Sequence, residues 1–340
     1  MQEVKQYRNI KEVFQHDGYL YLLGEDLSLS RIMGAEKEAR LDLSDYGGKI
    51  DPRKEILQIF YNKTLFQLSG DLVIRALDTF EAEHVSKIGD RFYYENRVDR
   101  NTRHSWIIEG GKTVFDRTWG EWIRSIGRNF YWQEAATQYG LTRIDLSTGK
   151  DGWSYDIRES GRYYNESEQK WYPGSIIANH IESRKGKLIF YATQNLEGDL
   201  EGRQYVALDE HAGSLVWNLR DVTYGSGQIE FYGDDIISMA GRKVLVIDSN
   251  TGMKKALVDF EDRIDKAVFI YNAFRVFNNK LVFCESRRKK TIGLINLDSW
   301  ELEHLFEAQI KAFQIESLHA TDNYICIKDS DNIVHFYELG

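Results

Sequence analysis

The hydrophobic positions of this chain fall in short runs separated by turn-forming residues, and no long helical period interrupts them. The segment 139–155, YGLTRIDLSTGKDGWSY, reads as a strand, a tight turn and a second strand. Asp145 opens the turn and Gly149 closes it, because glycine adopts a positive φ without steric penalty. The same layout returns at 204–219, at 243–260 and, in degenerate form, at 291–306. The pattern therefore predicts a repeated strand–turn–strand unit.

Each repeat extends to four strands, labelled a, b, c and d in chain order. Strand b precedes the c–d hairpin, as at 186–193 and 234–240, and one more alternating run precedes strand b. Antiparallel four-stranded units that repeat about every 40–50 residues are typical of β-propeller blades. We therefore predict an all-β fold: a single β-propeller domain over residues 1–340, with seven or eight four-stranded antiparallel blades. A β-solenoid is the alternative, but it needs shorter repeats with less turn chemistry.

The N-terminal run can supply the strand that the last blade lacks. The last hairpin, 322–337, lacks a d strand, whereas the N-terminal run 3–9 has no place in the first blade. Pairing residues 3–9 into the last blade, residues 310–340, would close the ring and remove its open edge.

The spacing of the hairpins indicates one irregular blade. The c strands are expected to end near residues 33, 77, 108, 145, 208, 247, 295 and 337. The interval from 77 to 108 is short for four strands, and no a strand is evident between Glu81 and Gly89. One early blade is therefore predicted to be incomplete or merged with its neighbour.

Three of the turns resemble the quinoprotein-type (PQQ-like) propeller repeat, in which an apolar strand, Ala-x-Asp and a Thr-Gly-Lys turn precede a Trp. One copy carries Asp145, Thr148, Gly149, Lys150 and Trp153. A second copy carries Ala207, Leu208, Asp209, Gly213 and Trp217, and a third reads LVIDSNTGMKKAL. The resemblance covers about three repeats and implies the fold only, since the repeat serves enzymes and binding scaffolds alike.

The resemblance does not extend to the quinoprotein dehydrogenases. That class implies a vicinal disulfide and a set of Ca²⁺-binding carboxylates, whereas Cys284 and Cys326 lie in separate apolar runs. Both thiols are expected to be free and buried. The sequence therefore predicts neither a cofactor nor a metal.

Composition, charge and hydropathy restrict the class of partner and the cellular location that we expect. Aromatic residues make up 13% of the chain, which suits pleated sheet. The net charge of −9 argues against nucleic acid as the partner. No run approaches the roughly 18 apolar residues of a membrane span, and the N-terminus lacks a signal-like apolar segment. The cytoplasm is therefore the expected location, without a membrane partner.

No catalytic motif is evident in the sequence. The 8 histidines form no HExxH, and neither GxxxxGK[ST] nor GxSxG occurs. No small-molecule substrate is indicated. A site assembled at the central channel from several blades would escape such a search, so a propeller enzyme (hydrolase, lyase or oxidoreductase) is the alternative function. Its candidate residues are Glu95, Glu134, His180 and Glu285.

The long connections all fall on one side of the predicted ring. Antiparallel alternation places the b–c and d–a connections on one face and the a–b and c–d turns on the other. The longest connections are 158–174, 194–202, 97–102 and 286–290, and all of them are of the b–c or d–a kind. Long loops on a rigid scaffold are where binding usually occurs. The leading hypothesis is therefore a non-enzymatic propeller that binds another protein, as a bacterial immunity or adaptor protein does.

Aromatic residues and arginine are typical interface anchors, and two segments of this face supply them. The candidate partner-binding residues are Arg158, Arg162, Tyr163, Tyr164, Trp171 and Tyr172 in the insertion, with Arg287 and Arg288 in a basic run. The insertion equally fits a cover packed on its blade, and the basic run fits an ordinary solvated loop. An acidic loop with Glu197, Asp199 and Glu201 could bind Ca²⁺, or it could simply be solvated.

Overall fold

Radial β-sheets make up most of the described chain. The computed structural model describes residues 2–47, 50, 57–88, 91–99, 102–109, 111–119, 122–126, 129–133, 140–145, 148, 150–157, 162–165, 169–173, 175–193, 204–220, 222, 228–268, 270–271 and 273–339. Besides strands, these ranges contain a 3-10 helix, Ser44–Tyr46. A search of the same ranges finds no helix with the length and hydropathy needed to cross a membrane. The all-β prediction is confirmed.

The strands follow one another with short connections. The first half contains β1 (Glu3–Tyr7), β2 (Ile10–His16), β3 (Tyr19–Gly24), β4 (Ser28–Met33), β5 (Glu36–Asp42), β6 (Leu57–Tyr61), β7 (Thr64–Leu68), β8 (Ile74–Thr79), β9 (His84–Ile88), β10 (Arg91–Arg97), β11 (Arg103–Glu109), β12 (Lys112–Trp119), β13 (Trp122–Ile126), β14 (Asn129–Gln133), β15 (Gly140–Asp145) and β16 (Lys150–Asp156). The second half contains β17 (Arg162–Asn165), β18 (Lys170–Pro173), β19 (Ser175–Arg184), β20 (Lys187–Thr193), β21 (Gln204–Asp209), β22 (Leu215–Leu219), β23 (Glu230–Tyr232), β24 (Asp235–Gly241), β25 (Lys243–Asp248), β26 (Lys254–Asp259), β27 (Ile270–Tyr271), β28 (Phe274–Phe277), β29 (Lys280–Cys284), β30 (Thr291–Asn296), β31 (Leu302–Glu307), β32 (Ile315–Ala320), β33 (Tyr324–Asp329) and β34 (Val334–Glu338).

These strands form eight antiparallel blades and one separate hairpin, β17–β18. In chain order the blades are β2–β5, β6–β8, β9–β12, β13–β16, β19–β22, β23–β26, β28–β31 and β32–β34 with β1, numbered blades 1 to 8. Seven of them have four strands, blade 2 has three, and β27 pairs with the end of β24 in blade 6. The described c strands end at residues 33, 79, 109, 145, 209, 248, 296 and 338, within two residues of the predicted ends.

The hydrophobic core lies between the blades. Each described core cluster joins two successive blades; one, for example, packs Ile237 and Met239 of blade 6 against Leu281 and Phe283 of blade 7. The b and c strands are covered on both sides and are continuously apolar, as in β21. The outer d strands are covered less completely and alternate in burial, as in β31. The sequence pattern therefore reports the radial position of a strand.

The N-terminal strand closes the ring as predicted. β1 pairs antiparallel with β34, with Lys5 opposite Phe336 and Tyr7 opposite Val334. The buried imidazole of His335 lies between two carboxylates, with Nδ1 3.2 Å from Glu3 Oε1 and Nε2 3.0 Å from Asp329 Oδ2. Strand pairing and this polar contact together tie the two ends of the chain into blade 8.

The c–d turns of blades 5 and 6 are each fixed by an aspartate at their start. Asp209 Oδ1 accepts hydrogen bonds from the backbone N–H groups of His211 and Ala212 at 2.9 and 2.7 Å. Asp248 Oδ1 holds the next turn in the same way. These hydrogen bonds lower the pKa of the Asp209 carboxyl below its usual range. The repeated Asp is therefore a turn-forming residue, not a binding residue.

The repeated Trp and Gly pack against each other between blades. Trp217 of blade 5 donates its indole N–H to Ser249 O in the c–d turn of blade 6 at 3.0 Å. Gly252 of that turn has φ +71°, and a Cβ there would lie 2.6 Å from the Trp217 ring. Trp153 of blade 4 packs on Gly213 of blade 5 in the same manner. Glycine is required at both turns by conformation and by space.

Blade 2 is the irregular blade, and the prediction located its gap wrongly. The a strand that was not evident between Glu81 and Gly89 is present as β9 (His84–Ile88). Blade 2 lacks its d strand instead, because residues 80–83 lead directly from β8 to β9 without forming a strand. His84–Ile88 is short and carries polar residues between its apolar ones, so its sequence signal is weak.

The Trp–Gly contact predicts a large effect for a small substitution. Gly252→Ala is expected to cost about 1–2 kcal/mol for the left-handed backbone and about 1–3 kcal/mol more for crowding against Trp217. Gly186→Ala is the matched control, since Gly186 also has φ +71° but has open space around it. Urea unfolding midpoints measure the difference between the two variants. Equal losses of stability would show that the interblade contact contributes nothing.

Candidate partner-binding face

The two faces of the ring differ in the length of their connections. The loop face, as we call it, carries the b–c and d–a connections, and the turn face carries the a–b and c–d turns. Described a–b turns, such as 17–18, 185–186 and 233–234, consist of two residues. The loop face carries the 157–174 connection and the 260–273 connection. One b–c connection is also short, since Arg242 alone joins β24 to β25. The difference in connection length therefore holds for the two faces as wholes and not for every connection.

The predicted insertion forms a β-hairpin. Strands β17 and β18 pair antiparallel, with Arg162 opposite Pro173, Tyr163 opposite Tyr172, and Tyr164 opposite Trp171. Five of the six candidate residues of the insertion are therefore brought together on two paired strands. Arg158 lies outside the described residues.

The basic run at blade 7 is built around one buried carboxylate. Glu285 directly follows β29 and is 5% exposed. Its carboxylate accepts hydrogen bonds from the backbone N–H groups of four of the next five residues. The donors are Arg287 at 2.9 Å, Arg288 at 3.0 Å, Lys289 at 2.7 Å and Lys290 at 2.9 Å. Burial alone would raise the pKa of Glu285, but the N–H donors together outweigh burial and lower that pKa below its usual value.

Neighbouring connections hold the same loop from outside. Ser286 O accepts the N–H of Ile315 at 2.8 Å, and Lys290 O accepts the N–H of Ala308 at 3.1 Å. Lys289 Nζ lies 2.6 Å from Asp265 Oδ2 of the 260–273 connection. Arg287 and Arg288 remain exposed, and neither guanidinium forms an ion pair with the residues the structure describes. The loop therefore presents two exposed positive charges from a fixed backbone.

Phe313 is a further candidate that the sequence reasoning missed. It lies in the 308–314 connection of the loop face and is 77% exposed, the highest exposure among the large hydrophobic side chains described. Ala308, Ile310 and Ala312 of that connection are buried, whereas Gln309 and Lys311 are exposed. The period-two pattern of AQIKAF is the signal that could have found Phe313, because it places the ring on the solvent side.

A backbone hydrogen bond links the connection that carries Phe313 to the basic loop. Ile315, two residues after Phe313, is hydrogen-bonded to Ser286, which directly precedes Arg287. Lys311 adds a further exposed positive charge to the connection that carries Phe313. We call Arg287, Arg288, Lys311 and Phe313 the blade 7–8 patch. Aromatic residues and arginine are both enriched at protein interfaces.

Two of the four candidates for a channel enzyme have described side chains, and each of the two is engaged within its own blade. Glu95 is held by Arg103 Nη1 at 2.7 Å and by Tyr93 Oη at 3.0 Å in blade 3. Glu285 belongs to blade 7 and is occupied by its own loop. Glu134 lies outside the described residues, and the His180 side chain is not among those described. No group of three metal-binding side chains occurs within the described ranges. Glu197, Asp199 and Glu201 lie outside those ranges.

Comparison with known proteins supports the fold without assigning a family. No family model and no curated protein matches the chain. Among solved structures, BamB from Moraxella catarrhalis matches with a TM-score of 0.54 and 13% identity over 99% of each chain. The computationally designed Ika8 protein matches with a TM-score of 0.58 and 13% identity, over 99% of this chain and 98% of its own. Sqt1 from Saccharomyces cerevisiae matches with a TM-score of 0.54 and 8% identity over 99% of each chain.

These likenesses show the fold alone. They extend over nearly the whole chain, at identities where a function does not transfer. The PQQ-like character of the three turns stays a resemblance of the repeat, since no family model matches.

Glu285→Gln is expected to loosen the basic loop. An amide has one accepting oxygen and brings an NH₂ group against N–H donors, so charge-assisted hydrogen bonds are lost at about 1.5–3 kcal/mol each before relaxation. Hydrogen exchange at the amides of Arg287 to Lys290 should become at least tenfold faster. Glu307→Gln, at an exposed carboxylate nearby, is the matched control and should leave these rates unchanged.

Glu285→Gln also tests the predicted direction in which the free energy of unfolding changes with pH. Because the folded-state pKa of Glu285 is depressed, its contribution to stability is present above the ordinary carboxyl pKa of about 4.3. The contribution is lost as the pH falls through the lower, folded-state pKa. The stability difference between wild type and Glu285→Gln should therefore shrink in acid. A difference that grows on acidification would contradict the assigned role.

Proposed function

We propose that this chain is a non-enzymatic β-propeller that binds another protein through its loop face. The observation that carries the proposal is Phe313, which is 77% exposed on a connection hydrogen-bonded to the loop of Arg287 and Arg288. Phenylalanine is among the residues enriched in interface cores relative to the rest of the protein surface. A few residues dominate the binding free energy of an interface, and arginine is among the types enriched in that set.

The fixed backbone of the blade 7–8 patch favours binding over a merely solvated loop. Glu285 orders four backbone N–H groups before any partner arrives. Ordering a loop only on binding would subtract from the affinity. A loop whose backbone is ordered in advance by a buried carboxylate suits recognition.

The charge of the patch indicates the chemistry of the partner. Arg287, Arg288 and Lys311 are exposed on a chain whose net charge is −9. An acidic partner surface would be attracted by this patch and repelled elsewhere, which would steer and orient the encounter. We therefore propose an acidic partner protein with an apolar pocket for Phe313.

Two finer points belong to the same proposal. A bacterial adaptor and an immunity protein that caps a toxin both fit binding through one face, and identification of the partner would separate them. A cytoplasmic location is also proposed, and the two buried free thiols, Cys284 and Cys326, are compatible with a reducing compartment.

Phe313→Ser is expected to weaken partner binding by about thirtyfold, which corresponds to the roughly 2 kcal/mol of a typical hot spot. Immobilised wild type and variant are incubated with lysate of the source organism, and captured proteins are quantified by mass spectrometry. Met253→Ser is the matched control, because Met253 is 69% exposed on the turn face. Equal capture by all three proteins, with unfolding midpoints unchanged, would refute a role for Phe313.

The hairpin can be tested separately from the patch. Replacing Tyr163, Tyr164 and Trp171 by Ala removes the predicted anchors of β17 and β18. Reduced capture of the same partner would extend the interface across the loop face. Unchanged capture with an intact fold would restrict the interface to the blade 7–8 patch and contradict the sequence-based assignment of the hairpin.

A further inference from the structure

Blade 2 ends one strand early, and this leaves a sheet edge on the outer rim. In the other seven blades the outermost strand is d, whereas in blade 2 it is the c strand, β8. Within the described ranges, β8 pairs with β7 and with no strand on its other side. An unpaired edge presents backbone donors and acceptors that can template another strand.

The register identifies which backbone groups are free. Val73 O accepts the N–H of Ser69 at 3.1 Å, so Val73 faces β7. Antiparallel ladders alternate between residues whose N–H and C=O groups face the partner strand and residues whose groups face away. Arg75 therefore faces β7, and the N–H and C=O groups of Ile74 and Ala76 point outward.

The completed blades show what chemistry a fourth strand requires. The outer strand β31, LEHLFE, alternates half-buried positions (Leu302, His304 and Phe306) with exposed ones (Glu303, Leu305 and Glu307). In blade 1, Arg31 of the c strand pairs with Glu38 of the d strand at 2.8 Å. In blade 6, Lys243 of the c strand pairs with Asp259 of the d strand at 2.6 Å. In these two blades, a cation on strand c is matched by a carboxylate on strand d.

Blade 2 has a cation on its c strand, Arg75, but no d strand to supply a carboxylate. Arg75 of β8 is exposed, and its guanidinium has no ion-pair partner among the described residues. Ile74 and Leu77 are half-buried and belong to the apolar surfaces on either side of the blade. The edge therefore combines free backbone groups, partly covered apolar side chains and one unmatched positive charge.

We propose that the outer edge of β8 binds an extended segment of a partner protein as the fourth strand of blade 2. The segment alternates apolar and charged residues and places a carboxylate opposite Arg75. This β-augmentation would use the rim of the ring, so it is a second interaction surface, separate from the loop face.

The test uses peptides whose sequences the ring already accepts as outer strands. Seven synthetic peptides carry the sequences of β1, β5, β12, β16, β22, β26 and β31, and each is added to the full chain. Hydrogen exchange of 73–80 is followed at single-residue resolution. The acidic peptide of β31 is expected to slow exchange at Ile74 and Ala76 at least tenfold. The amide of Arg75, already bonded to β7, is the internal control.

Ala76→Pro tests the geometry directly. It removes an outward N–H without breaking a β7–β8 hydrogen bond, and edge strands tolerate proline there. Binding of the β31 peptide should fall at least tenfold, with the unfolding midpoint little changed. Should this variant fail to fold, Arg75→Glu serves instead: it should weaken the β31 peptide about threefold and favour the basic β26 peptide.

Three results would overturn the proposal. One is that none of the seven peptides slows exchange at Ile74 and Ala76. Another is that Ala76→Pro binds as wild type does. The third is that both amides are protected without peptide; protection that depends on protein concentration would assign the edge to a second copy of the chain. Phe313→Ser should bind the peptides normally, so failure of the loop-face proposal and failure of this one are distinguishable.

Discussion

Each blade of this protein has two apolar faces, and neither can be buried within the blade itself. The described core clusters each join two successive blades, so a blade is stabilised by its neighbours on both sides. A linear array would leave the outer faces of the first and last blades in water. The ring must therefore close, and β1 closes it by completing blade 8. The contact of His335 with Glu3 and Asp329 adds a buried polar link that fixes this pairing.

Packing between blades uses the two ends of each blade differently. On the turn face, Trp153 and Trp217 pack on glycine turns of the next blade, so both the length and the composition of those turns are constrained. The connections of the loop face vary in length and sequence, and the interblade contacts there include backbone hydrogen bonds such as that from Ile315 N–H to Ser286 O. The Glu285 loop shows how a connection becomes rigid by itself, since one carboxylate satisfies four backbone donors. A variable face on a rigid ring is a suitable place for recognition.

Blade 2 lacks the fourth strand of the other blades, and the charged residues of its edge strand oppose unwanted association. An unpaired edge strand invites association with other copies of the chain. Arg75 and Asp78 are both exposed on β8, and such charges disfavour indiscriminate pairing. The rim and the loop face thus contribute different chemistry: backbone hydrogen bonds at one, an aromatic ring and guanidinium groups at the other.

The sequence by itself determined the strands, their antiparallel order and the closure of the ring, because alternation, Asp–Gly turns and the unpaired run 3–9 are local signals. It also located the loop face, since antiparallel order alone assigns each connection to a side. Tertiary structure decided what depends on neighbours distant in the chain. It showed that blade 2 lacks its d strand, that Glu285 is a loop-forming residue, and that Phe313 is exposed. Burial and hydrogen-bond partners are set by the packing of one blade on the next, and no local pattern in the sequence records that packing.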